Sequence, residues 1–223
     1  MAAYRTLGHS EELHMRIAIL GTGAMAAALG GGWVRAGHDV VVAGRSPDRA
    51  HVLATALGTR AVPVGEAVTG ADAVLLAVAH TGVADVLRAA GATTGALTGT
   101  TLIDPVNAMD HGGGPLRVPG GGSHAQRVAA LAPGAHVVKA FHLFPSTRWT
   151  EPASEPLTVP LCGDDAAALR TTGRLVRDLG AEPVVFGDLS RARQLEETAG
   201  FVISLAFTGI DPASAVPSMP AAG

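Results

Sequence analysis

The chain has 223 residues, 48% of them hydrophobic and 16% charged, with 16 Lys and Arg against 19 Asp and Glu. This balance excludes a disordered chain, which needs low hydrophobicity and high net charge, and a net charge of −3 offers no basic field to nucleic acid or an acidic membrane. The 29 glycines follow no Gly-X-Y period, and Cys162 is the only cysteine, so collagen, intrachain disulfides and thiolate zinc sites are excluded and a reduced, cytoplasmic setting fits.

No apolar run approaches the roughly 18 residues of a membrane span. Residues 1–14 read as a polar N-terminal extension without the apolar core of a signal peptide, and are expected to be poorly ordered. Arg16–Leu20 is a short apolar run ended by Gly21, the pattern of a buried strand. An alanine-rich helix over Ala24–Ala36 follows, stopped by Gly37. Asp39–Ala43 is a second strand. Ser46-Pro47 then reads as an N-cap with proline at the first helical position, opening a helix to about Leu57.

A short strand is expected near Thr59–Val62 and a short helix near Gly65–Thr69. Strand Ala73–Ala77, helix Val83–Ala90 and strand Thr101–Asp104 continue the alternation. A glycine-rich loop over 105–122, a helix near Ser123–Leu131 and strand His136–Ala140 complete it. Strands that are apolar throughout, alternating with helices, predict a doubly wound, mostly parallel α/β sheet of Rossmann type covered on both faces.

The rhythm changes after a proline cluster at Pro145, Pro152 and Pro156. Strand Leu157–Cys162, a helix capped by Asp164 and running to Leu179, strand Glu182–Phe186 and one long helix over Leu189–Thr208 predict a small C-terminal lobe. Glu196-Glu197 reads as a solvated face of that helix. Its broad apolar side, from Leu195 through Phe201, Leu205 and Phe207, predicts packing on the C-terminal lobe and on a second subunit, hence a homodimer. The tail from Asp211 to Gly223 is expected to wrap the surface or fray.

Gly21-Thr22-Gly23-Ala24-Met25-Ala26 lies between the first strand and the first helix and has the form G-x-G-x-x-A. The first glycine allows the tight turn, the second leaves room for a pyrophosphate, and Ala26 lets helix lie close to strand. The N–H groups at the helix start then face the phosphates. At the end of the second strand, where an NAD site usually places a carboxylate, stand Gly44, Arg45 and Ser46, with Arg49 one turn on. Guanidinium groups suit a 2′-phosphate, so the pattern favours NADP(H). Residues 15–144 thus read as an NADP-binding Rossmann domain and 145–223 as the smaller α/β lobe.

The sequence resembles the NADPH-dependent deazaflavin-coenzyme reductases, the coenzyme F-420:NADP oxidoreductases. The resemblance is carried by residues 16–25 (RIAILGTGAM), Gly44-Arg45-Ser46, residues 103–107 (IDPVN), residues 138–142 (VKAFH), residues 159–165 (VPLCGDD) and the segment from Gly187 to Glu196. It implies hydride transfer between NADP(H) and an 8-hydroxy-5-deazaflavin coenzyme as co-substrate, the protein supplying binding and orientation. Carried over by position, Thr22, Gly23, Ala24, Met25, Arg45, Ser46 and Arg49 would hold NADP, and Ala77, Val78 and Ala79 would pass its adenosine and ribose. Ala140 would border the nicotinamide, while Asn107 and His142 would edge the second ring. The sequence departs from the family at Ala108, at His142 and at Val78-Ala79-His80, all on the acceptor side.

Those departures open a second reading, an NADPH-dependent reductase of a small imine or carbonyl compound. Such chemistry needs a proton donor, and His142 and His80, each just beyond a strand end, are the candidates. A third reading is a non-catalytic NADP-binding module. His111-Gly112-Gly113-Gly114 and Ser123 imitate parts of a hydrolase, but no acid lies between Ser123 and His142, so the triad order fails. The histidines form no zinc-binding helix motif, and no metal is expected. Cys162 reads as a small core hydrophobe.

Overall fold

A computed structural model describes residues 14–110, 112–118, 120–150 and 157–217. The N-terminal extension up to residue 13, His111 of the glycine loop, Pro152 and Pro156, and residues 218–223 of the tail lie outside the described residues. The first six strands are β1 (Arg16–Leu20), β2 (Asp39–Ala43), β3 (Arg60–Ala61), β4 (Ala73–Leu76), β5 (Thr101–Asp104) and β6 (His136–Lys139). Between them run α1 (Ala24–Arg35), α2 (Pro47–Leu57), α3 (Val64–Ala67), α4 (Val83–Ala89) and α5 (His124–Leu131). Then come β7 (Thr158–Gly163), α6 (Ala166–Arg177), β8 (Glu182–Gly187) and α7 (Ala192–Phe207).

The strands form one eight-stranded sheet in the order β3-β2-β1-β4-β5-β6-β7-β8. All neighbours are parallel except β6 and β7, which run antiparallel in the register Lys139↔Cys162. This is the Rossmann-like α/β architecture the sequence predicts, with β7 and β8 of the C-terminal part continuing the same sheet. Side-chain alternation explains the double covering: Ile17 and Ile19 face α1, α2 and α6, whereas Ala18 and Leu20 face the layer of α3, α4, α5 and α7. The α6 layer is tied to α1 by Trp33 Nε1, which donates to Leu175 O at 3.0 Å. His38 Nε2 lies 2.9 Å from Asp178 Oδ2 beside it.

Local chemistry sets the helix ends. Ser46 caps α2 by accepting from Arg49 N, with Pro47 next, and Ser123 and Gln126 form a reciprocal capping box on α5. Two readings need correction. Asp165, not Asp164, caps α6, accepting from Ala168 N at 2.7 Å, while Asp164 accepts from Leu189 N at 2.8 Å and holds the turn before α7. That turn, Leu189–Arg191, is a 3₁₀ segment, so the long helix starts at Ala192. Cys162 is buried, and burial pushes its thiol up to about 11, as for a core hydrophobe.

Gly21 marks where the sheet constrains the loop most tightly. At φ 138°, it sits so close to β4 that a Cβ would fall 1.9 Å from Ala77 O. Gly21→Ala is expected to cost about 3 kcal/mol and lower the melting temperature by about 10 °C. Gly23→Ala, whose Cβ would meet nothing within 4 Å, should shift it by less than about 2 °C. Thermal melts followed by circular dichroism check both.

Candidate active site

The strand order reverses between β1 and β4, and the C-terminal ends of β1, β4, β5 and β6 all point to one rim. Open α/β sheets bind ligands at such a rim. Here a cleft of about 710 Å³ is lined by Gly23, Ala24 and Met25 at one end and by Val202, Ile203, Ala206 and Phe207 at the other. Ala77, Val78, Ala79, His80, Asn107 and His142 lie between them.

The first end fits a dinucleotide phosphate. Gly23 stands at the start of α1 with no side-chain cap, and the first turn carries no acidic residue. The space beside Gly23 is open, with nothing within 4 Å of a built Cβ. A 12-residue helix thus presents its first N–H groups and the positive end of its dipole to an open cradle. Arg45 and Arg49 are exposed at the start of α2 and make no ion pair among the described residues. Arg45 lies against the turn after β4, its Cζ 3.8 Å from where a Gly82 Cβ would be. Ser46 accepts from Arg49 N through its oxygen, which leaves its hydroxyl proton for a ligand. Arg45, Ser46, Arg49 and Thr22 lie beside the cleft rather than along its lining. Gly44 lines a separate hollow of about 210 Å³ with Pro47 and His51.

The second end is built by long-range contacts. Phe141 has φ 61°, an uncommon conformation for a bulky side chain, and its ring stands edge-on to Trp33 and Trp149 at centroid distances of 5.9 and 5.3 Å. This turn buries Ala140 beneath the cleft, outside its lining, and brings His142 to the cleft floor. Asn107 Nδ2 donates to His142 O at 2.7 Å. Asn107 Oδ1 and both His142 ring nitrogens are buried without a protein partner, polar atoms that a ligand can satisfy. Burial, and after it the Lys139 charge, pushes the His142 pKa down to about 3 against the opposite pull of Asp104. At neutral pH the imidazole is therefore uncharged. His80 lines the mouth near Asp110, whose carboxyl is held low by its hydrogen bond to Arg117.

Under this floor lies a fully buried ionic cluster. Lys139 Nζ is 3.2 Å from Asp104 Oδ2 and 3.0 Å from Glu196 Oε1, and it also donates to Val106 O. His124 Nδ1 is 3.0 Å from Asp104 Oδ2, and Asp104 Oδ1 accepts from Val106 N at 2.9 Å. Burial alone would raise the Asp104 pKa, but the Lys139 ammonium and the His124 hydrogen bond outweigh it and hold the carboxyl at about 2. Glu196 is thus no part of a solvated face: it is fully buried, whereas Glu197 is exposed and pairs with Arg193. One clue was present in the sequence, since Glu196 follows Leu195 and precedes Ala199 by three, inside the apolar stripe. The sequence pattern places the apolar side of α7 against the C-terminal lobe and a second subunit and does not foresee that Val202, Ile203, Ala206 and Phe207 line the cleft.

An uncapped helix start at a sheet's switch point, opening onto an apolar cleft, is the architecture of a nicotinamide-dependent oxidoreductase. Residues 16–108 match the family model described as NADP oxidoreductase coenzyme F420-dependent, so the resemblance read from the motifs is borne out. A protein from Arthrobacter sp. FB24, assigned as an F420-dependent NADP-reductase, superposes with a TM-score of 0.76 at 25% identity, covering 88% of this chain and 96% of that one. The metalloreductase STEAP3 of Rattus norvegicus is 29% identical over 184 residues, 81% of this chain. The chain spans 36% of that relative's length. An imine reductase from Myxococcus stipitatus shares the fold alone, with a TM-score of 0.66 at 19% identity over 88% of this chain and 63% of that one. The family model and these relatives are those of NADP-dependent oxidoreductases, the class that this chain resembles.

The depressed His142 pKa has a consequence for stability. A histidine whose folded pKa lies below its unfolded value of 6.5 stabilises the fold above pH 6.5, and that stability is lost as pH falls towards 3. Between pH 7 and 5 the loss from this group is about 2 kcal/mol. Urea unfolding of the parent and His142→Asn at both pH values should show the variant less acid-sensitive by that amount.

Proposed function

We propose that the protein transfers a hydride between NADP(H) and a flat, conjugated ring of the deazaflavin kind held in the second half of the cleft. The observation that carries this reading is the cleft itself. It is continuous from the phosphate cradle at Gly23 to the apolar wall of α7, and the polar groups on its floor, Asn107 and His142, are uncharged at neutral pH. NADP(H) supplies the hydride chemistry when bound. The chain's own work is to hold and exclude. The start of α1 would bind the pyrophosphate, Arg45, Ser46 and Arg49 the 2′-phosphate, and Ala77, Val78 and Ala79 the ribose path. Asn107 and His142 would orient the facing rings from the floor, while Val202, Ile203 and Phe207 exclude water. The hydride would pass between two carbon centres and the proton that completes the reduced ring would come to its nitrogen from water, so the step asks the protein for position rather than for an acid.

A second reading has one observation in its favour. The unpartnered ring nitrogens of His142 and Oδ1 of Asn107 could serve a small imine or carbonyl compound as hydrogen-bonding groups. With a pKa near 3, His142 would donate from the neutral ring rather than as imidazolium. The exposed Phe201 and Phe207, 48% and 59% accessible, support a homodimer through α7, and the lone thiol accords with a cytoplasmic setting.

The test is absorbance of the protein mixed with NADPH and the oxidised deazaflavin coenzyme, with NADH in parallel. Bleaching of the deazaflavin with NADPH and not NADH is expected. No bleaching, with NADPH bound tightly and a cyclic imine reduced, would replace this reading with the second. NADPH binding without turnover of either acceptor would leave a binding module. In the same assay Arg45→Ala should raise the KM for NADPH by about tenfold, the loss of one charge-assisted phosphate contact, and change kcat by less than about threefold.

A further inference from the structure

Glu196 spends its carboxylate on three partners. Oε1 lies 3.0 Å from Lys139 Nζ and accepts from Ala125 N at 3.1 Å, and Oε2 accepts from His124 N at 2.8 Å. It thereby caps the start of α5 and anchors α7 to the end of β6 in one contact. On α7 the positions 196, 199, 200, 203 and 207 share one helical face. The buried members of the helix are Ala192, Leu195, Glu196, Ala199 and Gly200, and none lies beyond Gly200. The half that walls the cleft, with Val202, Ile203, Ala206 and Phe207, continues beyond the half that Glu196 fastens and is met there by the glycine loop, Gly114 N donating to Ser204 Oγ at 3.1 Å.

The same ammonium holds the loop over 105–109. Lys139 Nζ donates to Val106 O, and the next residue, Asn107, is bonded to His142 O. Both walls of the acceptor half, α7 and the loop over 105–109, are thus referred to one buried charge. The phosphate end is held otherwise, by Gly21 N donating to Ala43 O at 2.8 Å and by the contact of Gly21 with Ala77. Among the described residues, none of the cluster's bonds reaches it.

We infer that Glu196, acting through Lys139, is a positioning residue that sets α7 against the loop over 105–109 and so fixes the acceptor half of the cleft independently of the NADP(H) half. The inference rests on the reading that a second planar ligand occupies that half. Its experiment reports on the protein even where no acceptor is turned over.

Glu196→Gln keeps the shape and removes the charge, turning an amide N–H₂ towards either the ammonium or the α5 N–H groups. In the full chain, NADPH affinity measured by fluorescence titration is expected to stay within about twofold. The KM for the oxidised deazaflavin should rise about tenfold while kcat changes by less than about threefold. Amide hydrogen exchange should rise in residues 196–207 and 105–109 and stay unchanged in residues 17–29. A loss of NADPH affinity equal to the rise in KM, or faster exchange throughout, would show a merely structural role and overturn the inference. Unchanged KM with unchanged exchange overturns it equally. If the parent turns over no deazaflavin, the functional reading fails and the exchange pattern with NADPH affinity alone decides this one. Should the Gln variant not fold, Glu196→Asp, which keeps the charge and withdraws it by one methylene, undergoes the same measurements with the same expected split.

Discussion

The Lys139 ammonium, with no exposure to solvent, sits among Asp104, Glu196 and the carbonyl of Val106. Such a group is tolerated in a core only when its charge is answered and its protons are placed. Here each of those requirements recruits a different element: β5 through Asp104, the following loop through Val106, α7 through Glu196, and α5 through the N–H groups that Glu196 also accepts. The cost of dehydrating the cluster is met only when all of them are in place together. The cluster stands directly under the cleft floor, so its demands become the shape of the cleft.

The two ends of the cleft obey different physics. The phosphate end is local: a strand, a glycine turn, an uncapped helix start, Arg45 just before the next helix and Arg49 in its first turn, all within residues 16–49. Its recognition comes from oriented backbone dipoles and charge, which act without large rearrangement. The acceptor end joins residues from the segments that follow β4, β5 and β6 with α7, and its walls are mostly apolar. There the discrimination comes from shape and from a few unpartnered polar atoms at Asn107 and His142. This division matches where the sequence departs from the family it resembles, since the changed positions at Ala108, His80 and His142 all fall on the acceptor side.

The same division governs what could be read from the sequence. The Rossmann alternation, the G-x-G-x-x-A loop and the Ser46-Pro47 helix start are short-range signals, and each element stands within a residue or two of its expected bounds. Glu196 was misread because adjacent acidic residues on a helix usually face water, and only the tertiary position of Lys139 reveals otherwise. The role of α7 was half visible: its apolar stripe was clear, but a periodic pattern shows that a face is covered and not by what. The positive φ of Phe141 left no trace in composition, because the turn is imposed by the packing of Trp33 and Trp149 around its ring. Asp164 and Asp165 are both plausible caps, and the choice between them depends on a hydrogen bond to Leu189, 25 residues away.

The most direct test of a cleft with two separately built halves is a crystal structure of the protein with NADP⁺ and the oxidised deazaflavin coenzyme. The account predicts the pyrophosphate on the N–H groups at the start of α1, the 2′-phosphate against Arg45 and Arg49, and the second ring between the nicotinamide and the α7 wall. A dinucleotide bound away from Gly23, or a second ring that leaves Val202, Ile203 and Phe207 untouched, would contradict it.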